Sequence, residues 1–140
     1  MMSRRRIVFD TNVLVSAVLT SQSTAHRALL AASRQGFFLF SRATFEEFED
    51  VLYRSKFDRY ITNPERRQFT QDLLAKSVQV QVTEHLTVCS DPDDDKFLEL
   101  AVSAKADGIV TGNLRDFPAS PFRGIPILSP AMFLESALAG

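Results

Sequence analysis

The sequence predicts an α/β protein, a three-layer α/β/α sandwich around a central, mainly parallel β-sheet. Short apolar segments alternate along the chain with longer segments in which apolar residues recur at helical spacing. Residues 37–40, Phe-Phe-Leu-Phe, are apolar throughout, as expected of a strand buried on both faces. Strands that alternate with helices form mainly parallel sheets covered on both sides. At 140 residues, the chain is predicted to be a single domain spanning 1–140.

The first half of the chain is predicted to contain two strands and four helices. Asp10, Thr11 and Asn12 follow the first strand and are typical of a helix cap. Gly36 is expected to end the second helix. Pro64 suits the first turn of the fourth, because a proline there loses no hydrogen bond. The predicted elements are strands at 7–9 and 37–40, and helices at 13–19, 24–34, 44–53 and from 63 onward.

The second half is predicted to add three strands and two helices. Residues 78–82, Val-Gln-Val-Gln-Val, alternate with period two, which indicates a strand with one solvated face or at an edge. Pro126 indicates that the last strand is also an edge strand, because proline lacks the N–H donor that a central strand needs. The predicted elements are strands at 78–82, 106–111 and 125–128, and helices from about 92 to 105 and from 130 onward.

Composition and charge exclude several functional classes. A formal net charge of −1 argues against nonspecific nucleic-acid binding through bulk charge. The single cysteine excludes an internal disulfide framework and suits a reducing compartment. The basic start of the chain is followed by too few apolar residues for a signal peptide, and no apolar run approaches the roughly 20 residues that cross a bilayer. We therefore expect a cytoplasmic protein without a membrane partner.

Acidic residues occur where strands are predicted to end or helices to begin. Asp10 follows the first strand, Glu47 lies early in the helix after the second, an acidic run at 91–95 begins a later helix, and Asp116 follows the strand that ends at Thr111. Because ligands of parallel α/β sheets bind beyond the carboxyl ends of the strands, these acids are expected to share one crevice. Clustered carboxylates repel one another and are usually balanced by a hard divalent cation. The pattern predicts metal-assisted chemistry on phosphates.

Each acid also has an ordinary structural explanation. Asp10 is able to cap a helix, Glu47 to lie on a solvated helix face, and the run at 91–95 to complement a helix dipole. Asp116 is also explained as a turn residue. Their joint placement, rather than any single residue, favours the functional interpretation. Three other chemically reactive residues are interpreted as surface or packing residues: His26, His85 and Cys89.

The chain resembles the PIN-domain ribonucleases, particularly the toxins of toxin–antitoxin pairs. The resemblance covers nearly the whole length and is carried by four segments in the same order. These are 7–16 (Ile-Val-Phe-Asp-Thr-Asn-Val-Leu-Val-Ser), 45–57 (Phe-Glu-Glu-Phe-Glu-Asp-Val-Leu-Tyr-Arg-Ser-Lys-Phe), 91–101 (Asp-Pro-Asp-Asp-Asp-Lys-Phe-Leu-Glu-Leu-Ala) and 106–118 (Ala-Asp-Gly-Ile-Val-Thr-Gly-Asn-Leu-Arg-Asp-Phe-Pro). It implies a PIN-like sandwich and metal-dependent cleavage of RNA.

The resemblance also implies a set of catalytic, metal-binding acids. They are expected to bind Mg²⁺ or Mn²⁺ and are Asp10, Glu47, Asp94 and Asp116. Asp94 is favoured over its neighbour Asp95 because Ala101, seven residues later, matches a small residue of the family. Asn113 stands where many relatives carry Asp, and Asp116, three residues later, takes that place.

Further residues are expected to support these acids. Four are expected to orient the carboxylates, namely Thr11, Asn12, Thr111 and Asn113. Three basic residues are expected to contact substrate phosphates, namely Arg54, Lys56 and Arg115. The expected substrate is single-stranded or looped RNA. The resemblance also implies two protein partners, a cognate antitoxin and a second copy of the chain in a homodimer.

Two other functions fit part of the sequence. One is a catalytically weak or inactive PIN-fold module that binds RNA or a partner, which the neutral Asn113 favours. The other is an aspartyl phosphotransferase or receiver domain. It fits less well because Asp10 is followed by Thr11 and Asn12 instead of a second acid, and Lys105 is predicted to lie within a helix.

Overall fold

The computed structural model describes residues 4–140, so residues 1–3 of the predicted domain lie outside it. Within residues 4–140 the strands form one five-stranded sheet in the order β3-β2-β1-β4-β5, and every neighbouring pair is parallel. The strands are β1 (Arg5–Phe9), β2 (Gly36–Phe40), β3 (Ser77–Gln79), β4 (Gly108–Val110) and β5 (Ile127–Leu128). The predicted mainly parallel sheet is confirmed.

Several helices begin after a side-chain cap, and the cap predicted at Asp10 is confirmed. α1 and α3 each begin two residues before the predicted starts at 13 and 44. Asp10, Thr62 and Ser129 each accept a hydrogen bond from a backbone N–H group in the first turn of a helix. None of the helices within residues 4–140 combines the length and hydrophobicity that a bilayer-spanning helix requires. The helices are α1 (Thr11–Leu19), α2 (Thr24–Gln35), α3 (Arg42–Leu52), α4 (Asn63–Ala75), α5 (Asp95–Ala104) and α6 (Pro130–Glu135).

Two hydrophobic cores lie on opposite faces of the sheet. Alternate residues of a strand point to opposite faces, so Ile7 and Phe9 enter one core whereas Val8 enters the other. The first core packs β1 and β2 against α1, α2, α3, α4 and α6. The second packs Val8, Leu39 and other strand residues against α5. The predicted three-layer α/β/α sandwich is therefore confirmed.

The predicted strand at 78–82 is too long, because β3 ends at Gln79. The Val80 N–H still donates to the Phe40 carbonyl at 2.8 Å, but the following chain leaves the sheet and runs along α5. There the side chains of α5 accept its backbone N–H groups: Ser103 Oγ accepts from residues 83 and 84, and Glu99 from residue 86. These side chains replace the sheet as the hydrogen-bond partner of the segment.

The edge position inferred for the last strand is confirmed, since β5 is an outer strand of the sheet. The strand predicted to have one solvated face or to lie at an edge is β3, the other outer strand. β5 is only two residues long, shorter than the predicted 125–128. The two residues before β5, Ile125 and Pro126, form other backbone hydrogen bonds. The Pro126 carbonyl accepts from the Ile109 N–H at 2.9 Å, while Ile125 pairs with Phe122 in an antiparallel bridge.

Gly36 allows β2 to begin directly after α2. It lies beside Arg5 in the register of β1 and β2. A Cβ atom at Gly36 would lie 1.8 Å from the Arg5 carbonyl oxygen and 2.5 Å from the Arg5 amide nitrogen. Nonbonded atoms do not approach so closely, so only glycine fits this contact between the two strands.

We expect the change Gly36→Ala to lower the free energy of unfolding by about 1–3 kcal/mol, the usual range for overpacking, because β2 must move away from Arg5. Chemical denaturation measures this difference. Gly112→Ala is the matched control, since its Cβ would meet Val13 Cγ2 at an ordinary 3.8 Å. Equal stability of Gly36→Ala and the wild type would contradict the role of this contact.

Candidate metal centre

Asp10 lies at the carboxyl end of β1 and is almost completely buried, with 6% of its surface exposed. Its Oδ1 accepts the Val13 N–H at 2.9 Å, and its Oδ2 accepts the Thr111 hydroxyl at 2.5 Å and the Gly112 N–H at 3.3 Å. Burial raises the pKa of Asp10, whereas these three hydrogen bonds act in the opposite direction. Asp10 therefore connects β1, the start of α1 and the loop after β4.

Glu47 extends from α3 towards the same edge of the sheet and has both carboxylate oxygens occupied. Its Oε1 accepts the Thr11 hydroxyl at 2.5 Å, and its Oε2 forms an ion pair with the Lys96 ammonium group. The side chains of Glu47 and Lys96 are 28% and 23% exposed, so water only partly screens their charges. Lys96 thus introduces a positive charge among the acids.

Three further carboxylates lie close together beside Asp10. Each of Asp91, Asp94 and Asp116 offers an oxygen atom, and these atoms all lie within 4.8 Å of one another. Two hydrogen bonds hold the segment before Asp91 against the turn at Leu114–Asp116: the Ser90 N–H donates to the Asp116 carbonyl at 3.0 Å, and the Ser90 hydroxyl to the Arg115 carbonyl at 3.2 Å. Backbone contacts between distant parts of the chain therefore bring the acids together.

The pKa of Asp94 is raised to about 6. Burial is the largest cause, followed by the negative charges of Asp91, Asp116, Asp10 and Glu47. The charges of four other carboxylates therefore reach Asp94, so the five acids form one electrostatically coupled group. A cation bound between them would relieve this repulsion.

Asp95 faces a different part of the molecule from Asp94. Its Oδ1 accepts the backbone N–H groups of Val88 and Cys89, at 3.0 and 2.8 Å. Burial alone would raise the pKa of Asp95, but these hydrogen bonds hold it below its ordinary value. Burial, with the Asp95 carboxylate next in effect, raises the pKa of the Cys89 thiol to about 12, so the thiol stays protonated. Asp95 therefore anchors the segment that runs along α5.

Thr111 and Asn113 connect Asp10, which follows β1, with Asp116, which lies in the turn after β4. The buried Thr111 hydroxyl donates to Asp10 and accepts the Asn113 N–H at 3.0 Å. The Asn113 side-chain amide donates to Asp116 Oδ2 at 2.5 Å. Asn113 therefore orients Asp116 without adding a negative charge. Asn12 is exposed, and within residues 4–140 its side chain makes no hydrogen bond to these acids.

The three predicted phosphate-binding residues are exposed but are not grouped together. Arg115 lies in the turn at Leu114–Asp116, next to Asp116. Arg54 and Lys56 lie beyond the last turn of α3, where Arg54 pairs with Asp50 at 3.5 Å. Among residues 4–140, neither of these two contacts the acidic cluster, so Arg115 alone of the three adjoins it.

Sequence reasoning missed two members of the centre, Asp91 and Lys96. Asp91 belongs to the acidic run, but its proximity to Asp116 depends on the Ser90 contacts. Lys96 follows the run directly, and the ion pair joins residues 49 positions apart in the sequence. Neither spacing nor composition shows that Lys96 pairs with Glu47. The position of a lysine directly after an acidic run was the one sequence feature that indicated a cation near the acids.

The donor set fits a hard divalent cation. Carboxylate oxygens are the ligands that suit Mg²⁺ and Mn²⁺. Oxygens bound to one Mg²⁺ lie about 3.0 Å apart when adjacent and about 4.2 Å apart when opposite, given a metal–oxygen distance of about 2.1 Å. The oxygens of Asp91, Asp94 and Asp116 lie within 4.8 Å of one another and would move closer together to bind one ion. His26 and His85 lie elsewhere, near the Ala17 carbonyl and Glu99.

Comparison with known proteins identifies one family. A family model described as PIN domain matches residues 6–115, which extend from β1 to the residue before Asp116. Comparison with curated proteins gives no match. The matched range contains Asp10, Glu47 and the acidic run at 91–95.

We expect the Asp94 carboxyl group of the metal-free protein to titrate near pH 6, well above the ordinary value of 3.8. Carbon-detected NMR of the aspartate carboxyl groups measures this directly. The change Asp91→Asn should lower the pKa of Asp94, because it removes the largest of the neighbouring charges that raise it.

Asp93→Asn is the matched control, since Asp93 belongs to the same run but is not among the leading causes of this shift. An Asp94 pKa near 4, or an equal response to both changes, would contradict this account of the cluster.

Proposed function

Because the chain belongs to the PIN domain family, we propose that it is a metal-dependent endoribonuclease whose single PIN-like domain spans residues 1–140. It hydrolyses phosphodiester bonds in single-stranded or looped RNA. The observation that carries this proposal is the cluster of Asp91, Asp94 and Asp116 beside Asp10 and Glu47. The choice of RNA rests on the resemblance of the four sequence segments to PIN-domain ribonucleases.

The proposed metal ligands are Asp10, Glu47, Asp94 and Asp116. An ionised carboxylate offers about four lone-pair positions. Asp10 uses three of them for hydrogen bonds and Glu47 uses two, so both have capacity left for a cation. Asp91 is a further candidate ligand because of its position in the cluster. Mg²⁺ or Mn²⁺ bound here would lower the pKa of an attacking water molecule and offset negative charge on the phosphate.

The neutral polar residues of the site keep the acids in position. Thr111 donates to Asp10, Thr11 to Glu47 and Asn113 to Asp116, so each of these carboxylates is oriented by a neighbouring side chain. Groups that orient metal ligands in this way affect metal affinity and activity. Arg115, exposed beside Asp116, is the proposed contact for a substrate phosphate. Arg54 and Lys56 would contact more distant phosphates of the same strand.

A second candidate function is a PIN-fold module that binds RNA or a partner with little or no catalysis. Two features favour it: Lys96 is paired with Glu47, and Asn113 adds no negative charge. RNA binding without metal-dependent cleavage would identify this function.

We expect the purified chain to cleave single-stranded RNA with Mg²⁺ or Mn²⁺ and to lose this activity in EDTA. Asp94→Ala should reduce the cleavage rate by about 100-fold or more, because metal-ion stabilisation of the transition state contributes several kcal/mol and each 1.36 kcal/mol is tenfold in rate. Gel analysis of a labelled RNA measures the rates.

Asp95→Ala is the matched control. It should keep the metal dependence but lower the free energy of unfolding by about 1–3 kcal/mol, because two part-buried backbone N–H groups lose their acceptor. Equal cleavage by the wild type and Asp94→Ala, or cleavage insensitive to EDTA, would contradict the nuclease proposal.

The resemblance to toxins extends the proposal to a biological role. We propose a cytoplasmic toxin that acts as a homodimer and is neutralised by a cognate antitoxin. An antitoxin that covers the crevice of Asp10, Glu47, Asp94 and Asp116 would exclude both RNA and metal from it.

We expect production of the chain alone to arrest growth of its host, because uncontrolled cleavage of RNA stops protein synthesis. Co-production with the product of the adjacent gene should restore growth, and Asp94→Ala should not arrest it. Growth curves measure the effect. Normal growth with an enzyme that is active in vitro would contradict the toxin role and leave an unregulated nuclease.

A further inference from the structure

A groove of about 690 Å³ lies beside the metal centre, beyond the carboxyl ends of β2 and β3. It opens where the chain leaves the sheet after Gln79 and begins to run along α5. Its polar lining consists of Ser41, Arg42, Gln79, Gln81, His85, Lys96 and Glu99. The groove is distinct from the acidic cluster, because none of the three clustered aspartates lines it.

Lys96 forms the boundary between the groove and the metal centre. It lines the groove, and its ammonium group is paired with Glu47. A chain that leaves the groove towards the acids must therefore pass Lys96. Among five carboxylates that repel a phosphate, the Lys96 ammonium group is an attractive contact for a phosphodiester at this point.

The chemistry of the groove suits unpaired nucleotides. Its volume falls within the range of about 300–1,000 Å³ that is usual for sites binding small organic molecules. Gln79 and Gln81 are exposed and carry amide groups that both donate and accept hydrogen bonds, as the edges of unpaired bases do. Val80 and Val82 are half-buried in the lining and offer an apolar surface to the bases.

The charges of the groove do not exclude a polyanion. Its carboxylate, Glu99, is mostly buried and accepts the Leu86 N–H at 2.9 Å. Arg42 lies at the exposed start of α3, where it pairs with Glu46. Arg42 and Lys96 are the two lysine or arginine cations of the lining, each paired with a glutamate outside it, and Glu99 is the one acid in the lining.

We propose that this groove binds the RNA nucleotides adjacent to the scissile phosphate, with Gln79 and Gln81 at the bases and Lys96 at the connecting phosphate. The proposal rests on the proposed nuclease function and adds the path of the substrate strand to it. The acidic cluster then acts on the phosphodiester that leaves the groove past Lys96.

The test changes the charge of the groove at Gln81, whose side chain is exposed and makes no hydrogen bond within residues 4–140. Gln81→Glu and Gln81→Arg are compared with Gln71→Glu and Gln71→Arg, the same changes at an exposed position of α4 that does not line the groove. All variants carry Asp94→Ala, so that a short fluorescent single-stranded RNA is not cleaved when Mg²⁺ is present. Fluorescence anisotropy measures the Kd, and thermal unfolding checks that each variant is folded.

We expect Gln81→Glu to weaken RNA binding about five-fold and Gln81→Arg to strengthen it by a similar factor, from the energy of one charge near a phosphate in water. The changes at Gln71 should alter the Kd less than two-fold, since they add the same net charge far from the strand. Equal shifts at both positions, which mean a bulk charge effect, or no shift at Gln81 would overturn the groove assignment.

Cleavage by the wild-type chain, measured in parallel, separates this inference from the function on which it rests. Mg²⁺-dependent cleavage together with unchanged binding in the Gln81 variants would overturn the groove alone. Opposite shifts for the two Gln81 variants without any cleavage would support the groove as an RNA site and overturn the nuclease. A chain that neither binds nor cleaves RNA would overturn both.

Discussion

The buried carboxylate of Asp10 holds together parts of the chain that are far apart in sequence. It accepts hydrogen bonds from Val13 at the start of α1 and from Thr111, which lies 101 positions after Asp10 in the sequence. A buried carboxylate is costly unless it is hydrogen-bonded, so the loop after β4 must stay where Thr111 and Gly112 reach it. The turn at Leu114–Asp116 follows directly, and this brings Asp116 to the acids of the centre. The position of the candidate site thus depends on the hydrogen bonds that the Asp10 carboxylate accepts.

The same centre contains charges that are unfavourable without a cation. Asp94 has a pKa of about 6, raised first by burial and then by its acidic neighbours. Because the folded-state value is above the ordinary value of 3.8, Asp94 favours the folded state most below about pH 4. That contribution is lost as the pH rises through 6. At neutral pH the folded protein therefore holds repelling carboxylates, and Lys96 offsets part of this repulsion at Glu47. Such an arrangement is expected of a site whose partner is a cation rather than of a surface selected for stability.

Local patterns in the sequence were sufficient to predict the parallel sheet, the approximate starts of the helices and the individual acids. Asp10 directly follows an apolar strand, and Pro64 suits the first turn of a helix, so both were predicted from neighbouring residues. The end of β3 was not, because Ser103, Glu99 and Asp95 on α5 compete with the sheet for the backbone N–H groups at 83–89. Asp91 and Lys96 were missed for a related reason. Their contacts join side chains from distant segments, and no periodic pattern records such contacts.

The early end of β3 also limits how the sheet meets other proteins. An exposed edge strand offers unpaired backbone groups to which a foreign strand is able to add, and long flat edges promote aggregation. Here β3 has three residues and β5 has two, and the segment after β3 is already bonded to α5. Neither edge is long enough to template an additional strand. A second copy of this chain, or a regulatory protein, would therefore associate through side chains of helices and loops instead of extending the sheet.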